Sequence, residues 1–335
     1  MKILLICNYK PGVGGISGQV EILQRKLRED GHTADIFSTK GSILWRLGLF
    51  CRLRKVARDY DILHIHCCSG WGFLPAIVGV TVGRWLKKRV VLTFHGGGGE
   101  KFFAKHIRLV RYCLLRTDAN IVLSGFLGEV FSHYGIPYTT IPNIIEFDDT
   151  QFRERTSIRP NFICIRTHEE LYNIPCILRA FRQVQTELPE ATLTLVGDGS
   201  QHNSLIEMVK DLELANVTFA GRVDNRKIYQ YLDQADVMLS SPKVDNMPVS
   251  LLEAMNAGLL IISSDVGGIP YIIENNKTGY LFPSDDSNEL ANLMIKAVRH
   301  SSESIDIIQN AHQEVNVYRW ENIWEQLYTT YGISV

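Results

Sequence analysis

The run Lys2-Ile3-Leu4-Leu5-Ile6-Cys7, the glycine-rich Gly12-Val13-Gly14-Gly15-Ile16-Ser17-Gly18 and the helical pattern Gln19 to Glu29 form the first unit of a repeating plan. An apolar run without alternation suits a strand buried on both faces. Comparable runs recur at residues 33 to 37, 61 to 66, 89 to 94 and 119 to 123, with helical patterns between them. The series then starts again with Phe162 to Ile165, Thr192 to Val196, Val217 to Phe219, Val237 to Leu239, Leu259 to Ile262 and Gly279 to Phe282. Helical segments such as Ile174 to Thr186 and Pro248 to Asn256 separate these runs. Such alternation predicts parallel sheets covered by helices on both faces. Phe147 to Asn161 is mostly polar and follows neither period, as a linker should. The expected fold class is α/β, with two doubly wound domains and a cleft between them: residues 1–155 and 156–315. In residues 316–335, Tyr318 to Tyr328 has helical spacing and predicts a terminal helix returning towards the first domain.

A chain of 335 residues is too long for one ordinary core and suits two. With 45% hydrophobic and 21% charged residues, it reads as globular rather than disordered, fibrous or membrane-spanning. The net charge of −1 hides an asymmetry. Residues 1 to 155 hold 22 Lys and Arg against 13 Asp and Glu; the remainder hold 13 against 23. A basic half joined to an acidic half calls for separate surfaces with separate duties. Seven cysteines without C-x-x-C spacing argue against a disulfide scaffold and a zinc site, and for a reducing compartment. The opening apolar run is too short for a signal-peptide core or a membrane span, so a cytoplasmic location without a transmembrane anchor is expected.

The glycine-rich loop lets backbone N–H groups approach an anion at a helix N-terminus. It is not a dinucleotide fingerprint, because Ser17 stands in the third glycine place and Asp35 lies inside its strand. A plain turn is the alternative. The most informative stretch is Asp245-Asn246-Met247-Pro248-Val249-Ser250-Leu251-Leu252-Glu253-Ala254-Met255. Pro248 suits the first turn of a helix, which places Asp245 in the loop before it and Glu253 just over a turn inside. Both carboxylates can then face one ligand, accepting hydrogen bonds from sugar and ribose hydroxyls, with the helix N-terminus near a diphosphate. The plainer alternative makes Asp245 a cap and Glu253 a solvated side chain.

With these residues in view, the sequence resembles glycosyltransferase family 4, retaining enzymes of the GT-B fold, over nearly its whole length. Asp245 to Glu253 looks like the family's E-x7-E motif, with Asp in place of the first Glu. Ala254-Met255-Asn256-Ala257-Gly258 and Ser264-Asp265-Val266-Gly267-Gly268-Ile269-Pro270 match its continuation. Val196-Gly197-Asp198-Gly199 resembles its second-domain turn, Pro142-Asn143-Ile144-Ile145 its hinge approach, and Gly14-Gly15 its first-domain loop.

The resemblance implies that Glu253 holds the donor ribose and that Asp245 touches the transferred sugar. It makes Arg166, after the first strand of the second domain, the arginine on the donor diphosphate. Five N–H donors suit phosphate oxygens and the charge that builds as the nucleotide leaves; an exposed surface arginine is the alternative. The donor set is completed by Gly14, Gly15, Asn246, Met247, Pro248 and Val249. His95 resembles the family histidine that contacts the transferred sugar, with a buried structural role as the alternative. His64 and His66, two apart on one strand, share a side and read as structural. Where the family usually places a lysine shortly after the arginine, this chain has Glu169-Glu170-Leu171-Tyr172-Asn173, with Tyr172 nearest that place. Losing a cation there argues for reduced or altered activity.

No metal is expected, because Asp148-Asp149 lacks the strand-end context of a metal-binding D-x-D. Lys40 to Arg58 alternates apolar residues, Trp45 and Phe50 among them, with Arg46, Arg52, Arg54, Lys55 and Arg58. Such a stretch can lie on an anionic membrane surface, or pack as a helix with its apolar stripe in the core and a solvated basic face. The expected function is retaining transfer of a sugar from a nucleotide sugar to a hydroxyl acceptor, in surface polysaccharide or lipopolysaccharide assembly. Closure of the cleft would exclude water. Expected partners are a nucleotide-sugar co-substrate, a glycan or lipid-linked acceptor and peripheral contact with anionic membrane, with no separate cofactor and no nucleic acid. The alternatives are a nucleotide-sugar-binding protein without turnover, or a GT-B nucleotide-sugar epimerase.

Overall fold

The computed structural model describes residues 1–11, 15–42, 48–146, 152–224 and 227–333. The chain divides into two compact units: Met1–Glu146 with Tyr318–Val335, and Phe147–Val317. Each contains a six-stranded, wholly parallel sheet flanked by helices, so the fold is two Rossmann-like domains. The first unit's strands are β1 (Lys2–Cys7), β2 (Thr33–Ser38), β3 (Ile62–Cys67), β4 (Arg89–Phe94), β5 (Ala119–Val122) and β6 (Thr139–Thr140). They lie in the order β2-β1-β3-β4-β5-β6. The second unit's are β7 (Asn161–Ile165), β8 (Thr192–Val196), β9 (Val217–Gly221), β10 (Val237–Ser240), β11 (Leu260–Ser264) and β12 (Tyr280–Phe282), in the order β12-β11-β10-β7-β8-β9. All but β6 follow the apolar runs in the sequence to within about two residues at each end, the ordinary scatter of element boundaries. β6 is two exposed threonines and offers no apolar signal.

The period of two along a strand divides the first unit's core between the sheet's faces. Leu4 and Ile6 pack in one cluster with Leu63, Ile65 and Phe94; Ile3, Leu5 and Cys7 pack in the other with Val20, Leu23 and Leu27. The terminal helix Trp320–Tyr331 completes this second cluster through Trp320, Ile323, Leu327, Tyr328 and Tyr331. Directional bonds fix its seat: Trp320 Nε1 and Tyr328 Oη donate to Asp30 at 3.1 and 2.7 Å, and Arg89 donates twice to the Thr330 carbonyl.

Residues 43–47 of the basic amphipathic stretch lie outside the described residues. The rest forms the helix Leu49–Ala57, whose Leu49, Leu53 and Ala57 are buried at a spacing of four. Arg52, Lys55 and Arg58 face solvent. Here the apolar stripe packs on the core and the basic face is solvated.

Arg153 and Arg155, in the polar segment that leads to β7, are bonded within the second unit. Buried Asp236, just before β10, takes Arg155 Nε at 3.1 Å, Arg159 Nε at 2.9 Å and Arg153. Burial works to raise its pKa, but hydrogen bonds from Arg159 and the charges of Arg155 and Arg159 outweigh it and hold the carboxyl below its ordinary value. Removing one side of a buried charge network leaves the other side uncompensated. Asp236→Asn should therefore cost about 3 kcal/mol, read as a lower urea midpoint; a change within about 0.5 kcal/mol, the size of an ordinary surface substitution, would show the network to be a surface one.

Candidate functional site

In the second sheet the strand order reverses between β7 and β10, where an open α/β sheet leaves a crevice beyond its strand ends. Arg166 follows β7 directly, and its N–H donates to the Val196 carbonyl at 3.0 Å. Gly197, at φ 144°, lies so close that an added Cβ would come within 1.8 Å of the Arg166 carbonyl oxygen. Glycine is needed for both the conformation and the approach. The Arg166 side chain is only 10% exposed. Its Nη2 lies 3.1 Å from Asp245 Oδ2 and 3.4 Å from Ser240 Oγ, and the Tyr172 ring centre is 5.2 Å from its Cζ. Arg166 Nε is buried without a hydrogen-bond partner among the described residues.

Asp245 is held from behind by another glycine. Gly267 has φ 56°, and a Cβ there would come within 2.0 Å of the Asp245 carbonyl oxygen, which accepts from Gly268 N–H at 2.9 Å. Asp245 Oδ1 accepts from Asn246 N–H at 2.8 Å, leaving Oδ2 to Arg166. The helix Val249–Asn256 begins one residue later than the sequence predicts: Pro248 is its cap, with extended backbone at φ −70° and ψ 109°. Asn246, Met247 and Pro248 are buried and Val249 is partly exposed, so this segment chiefly lines the site from within. Glu253 stands on the helix with part of its surface exposed but protein packed closely about it. Burial pushes its pKa up to about 7, against the opposing pull of the Arg166 charge.

In the first unit, Gly15 sits at φ 67° ahead of the helix Ile16–Glu29, while Gly14 lies outside the described residues. His95 follows β4, and its N–H donates to the Cys67 carbonyl at 2.8 Å. His64 and His66 do share one side of β3, with ring centres 4.2 Å apart. His64 has a structural setting, with Nδ1 2.7 Å from Tyr331 Oη and Nε2 2.8 Å from Thr93 Oγ1. His66 does something the sequence does not reveal: its Nδ1 lies 2.9 Å from His95 Nε2. Burial holds His64 and His95 down to about 3 and His66 well below its ordinary value, so all three are neutral at physiological pH.

The structure thus brings Arg166, Asp245 and Glu253 into one electrostatic group and places His95 in the first unit. Sequence reading missed Ser240, whose strand-end place beside the topological reversal was the available signal, and the ring contact of Tyr172 on Arg166. Among the described residues no group of three or more His, Cys, Asp and Glu side chains is placed to hold a metal ion; Asp148 and Asp149 lie outside them.

Two helix-flanked parallel sheets make the GT-B fold, and the relatives of the chain make it a glycosyltransferase. The model for Glycosyltransferase Family 4 matches residues 34–149 and that for Glycosyl transferases group 1 matches residues 148–314, and the chain belongs to the family-4 type. It is 26% identical over 306 residues to the N-acetyl-alpha-D-glucosaminyl L-malate synthase of Bacillus anthracis, covering 85% of this chain and 78% of that one. It is 30% identical over 129 residues to the amylovoran biosynthesis glycosyltransferase AmsK of Erwinia amylovora, over 36% of this chain and 32% of that one. The crystal structure of HepE from Anabaena in complex with UDP-glucose superposes with a TM-score of 0.80 at 18% identity, over 99% of each chain.

The raised pKa of Glu253 makes stability depend on pH with a definite sign. A carboxyl of ordinary pKa 4.5 that reaches about 7 when folded binds a proton on folding, so stability falls as pH rises through that window. Glu253→Gln lacks this loss. Urea midpoints between about pH 4 and 9 should show the variant gaining on the native chain up to neutrality and then levelling, by at most about 3 kcal/mol. A gap independent of pH would show that Glu253 titrates normally.

Proposed function

We propose that this glycosyltransferase moves a sugar, with retention of configuration, from a nucleoside diphosphate sugar to a hydroxyl acceptor in surface polysaccharide or lipopolysaccharide assembly. The observation that carries the reading is the buried Arg166 guanidinium, with an unpartnered Nε at the strand reversal between two carboxylates. A diphosphate supplies the acceptors that such a group lacks. Glu253 holds the ribose and Asp245 the sugar, with Asn246, Met247, Pro248 and Val249 shaping the wall between them. Arg166, with the backbone N–H groups of the helix start and of Gly14 and Gly15, stabilises the charge developing on the departing nucleotide. His95 meets the transferred sugar from the first domain. Attack on the same face as departure needs no enzyme nucleophile; a donor phosphate oxygen takes the acceptor proton. UDP-glucose bound to HepE and the name of AmsK are in keeping with this donor class and setting.

The reading extends to the acceptor side. Arg52, Lys55, Arg58, Lys87, Lys101, Lys105 and Arg108 are exposed on the first domain, with Trp85 and Tyr112 at 60% and 50% exposure. Basic side chains with surface aromatics suit a headgroup region, and this supports peripheral contact with anionic lipid at the cytoplasmic face of a membrane. No helix among the described residues is long and apolar enough to cross a membrane.

Thermal stabilisation across nucleotide sugars identifies the donor, since a ligand of the native state raises Tm. With that donor, Arg166→Ala and Glu253→Ala should each lower kcat/KM at least about a hundredfold, the scale of losing an electrostatic contact to the transition state. Donor binding without product would identify a binding protein, and a free sugar nucleotide of altered configuration an epimerase. Liposomes containing acidic lipid should retain the protein at low salt and release it at high salt; failure to bind would remove the membrane from the reading.

A further inference from the structure

Three imidazoles, of His64, His66 and His95, line a cavity of about 40 Å³ inside the first unit, together with Gln19, Thr93 and Asn143. His64 has both ring nitrogens engaged. His66 does not: its Nδ1 meets His95 Nε2 at 2.9 Å, while its Nε2 is buried without a partner among the described residues. His66 is only 4% exposed, whereas His95 is partly exposed and its Nδ1 has no hydrogen-bond partner among the described residues.

A hydrogen bond between two neutral imidazoles needs one proton between the facing nitrogens. That links the two tautomers. If His66 carries its proton on Nε2, its Nδ1 accepts, His95 is protonated on Nε2, and His95 Nδ1 is left as a bare acceptor. If His66 carries its proton on Nδ1, His95 Nε2 accepts and His95 Nδ1 becomes a donor. Neutral histidine in water favours the Nε2–H tautomer, so the first arrangement puts both rings in their favoured form and the second puts both in the other. The cavity is large enough for water to meet the His66 Nε2–H, because about 10–15 Å³ of such volume holds one molecule.

We infer that His66 is a positioning residue that locks His95 as the Nε2–H tautomer, so that His95 presents Nδ1 as an acceptor to a ligand hydroxyl. The inference rests on the proposed contact between His95 and the transferred sugar for its functional meaning, but not for its tautomer. An acceptor nitrogen selects a sugar bearing a free hydroxyl at that point and disfavours one blocked there by an ether or ester. The hydroxyl donates a hydrogen bond to Nδ1, its O–H bond stays intact, and the ring stays neutral.

The test has a spectroscopic and a kinetic arm. Nitrogen-15 spectra of the whole protein, with signals assigned through His66→Asn and His95→Asn, should show protonated Nε2 and unprotonated Nδ1 on both His66 and His95. A protonated Nδ1 on His95 overturns the inference. With the donor that stabilises the protein, His66→Leu should lower kcat about tenfold, the scale of losing one orienting hydrogen bond, while donor KM changes less than about twofold. His66→Asn, which can still accept from His95 Nε2–H, should recover most of that loss. In a His95→Ala background the His66→Leu change should vanish. An equal loss in both backgrounds means that His66 acts only on the fold, which also overturns the inference. If the native chain transfers no sugar while the tautomers are as stated, the functional reading fails and the positioning of His95 stands. Reversed tautomers in an active enzyme overturn the positioning and leave the functional reading in place.

Discussion

A guanidinium taken out of water must be met by charge or by hydrogen bonds, and the second domain is arranged around meeting only part of that requirement at Arg166. Asp245 and Ser240 face one nitrogen, Tyr172 offers a ring, and Nε is left without a partner among the described residues. The cost of that incomplete solvation is carried by the surrounding fold. β7 aims the residue, Gly197 lets the neighbouring turn close on its backbone, and Gly267 fixes the loop that carries Asp245. Under the proposed reading an anion completes what the fold leaves unmet, and a neutral occupant would leave the buried cation as it was.

The same cation shapes the acidity of Glu253. Burial raises its pKa and Arg166 lowers it, and the balance falls near neutrality. Tyr172 adds a different kind of contact where the family has a second cation. An aromatic face attracts a guanidinium through its quadrupole without repelling it, whereas a lysine in that place would add positive charge. The Tyr172 ring thus meets Arg166 without adding positive charge beside it, while the nearby Lys243 is paired with Glu170 at 3.2 Å.

Much of this was legible because burial on both faces makes a parallel strand a short apolar run, and the two series of runs name both sheets. Asp245, Glu253 and Arg166 were also legible, through local spacing and resemblance to a family. The helix start moved from Pro248 to Val249, within the ordinary uncertainty of a helix end. What stayed hidden depends on distance along the chain. His66 lies on β3 and His95 just past the end of β4, and their bond exists only once β3 lies beside β4. Their burial, which decides that both are neutral, is likewise a property of the packed sheet. The two-residue β6 was invisible because exposed threonines carry no hydrophobic signal.

The terminal helix has a consequence for how the molecule is made. The second domain is one continuous stretch, whereas the first is assembled from two stretches that lie on either side of it, so the second can fold as a unit while the first is still incomplete. Until residues 320–331 arrive, one apolar face of the first sheet lacks Ile323, Leu327 and Tyr331, and Asp30 lacks both of its aromatic donors. The half whose strands come first in the chain is thus the one whose core closes only after a segment from beyond the other domain has docked on it.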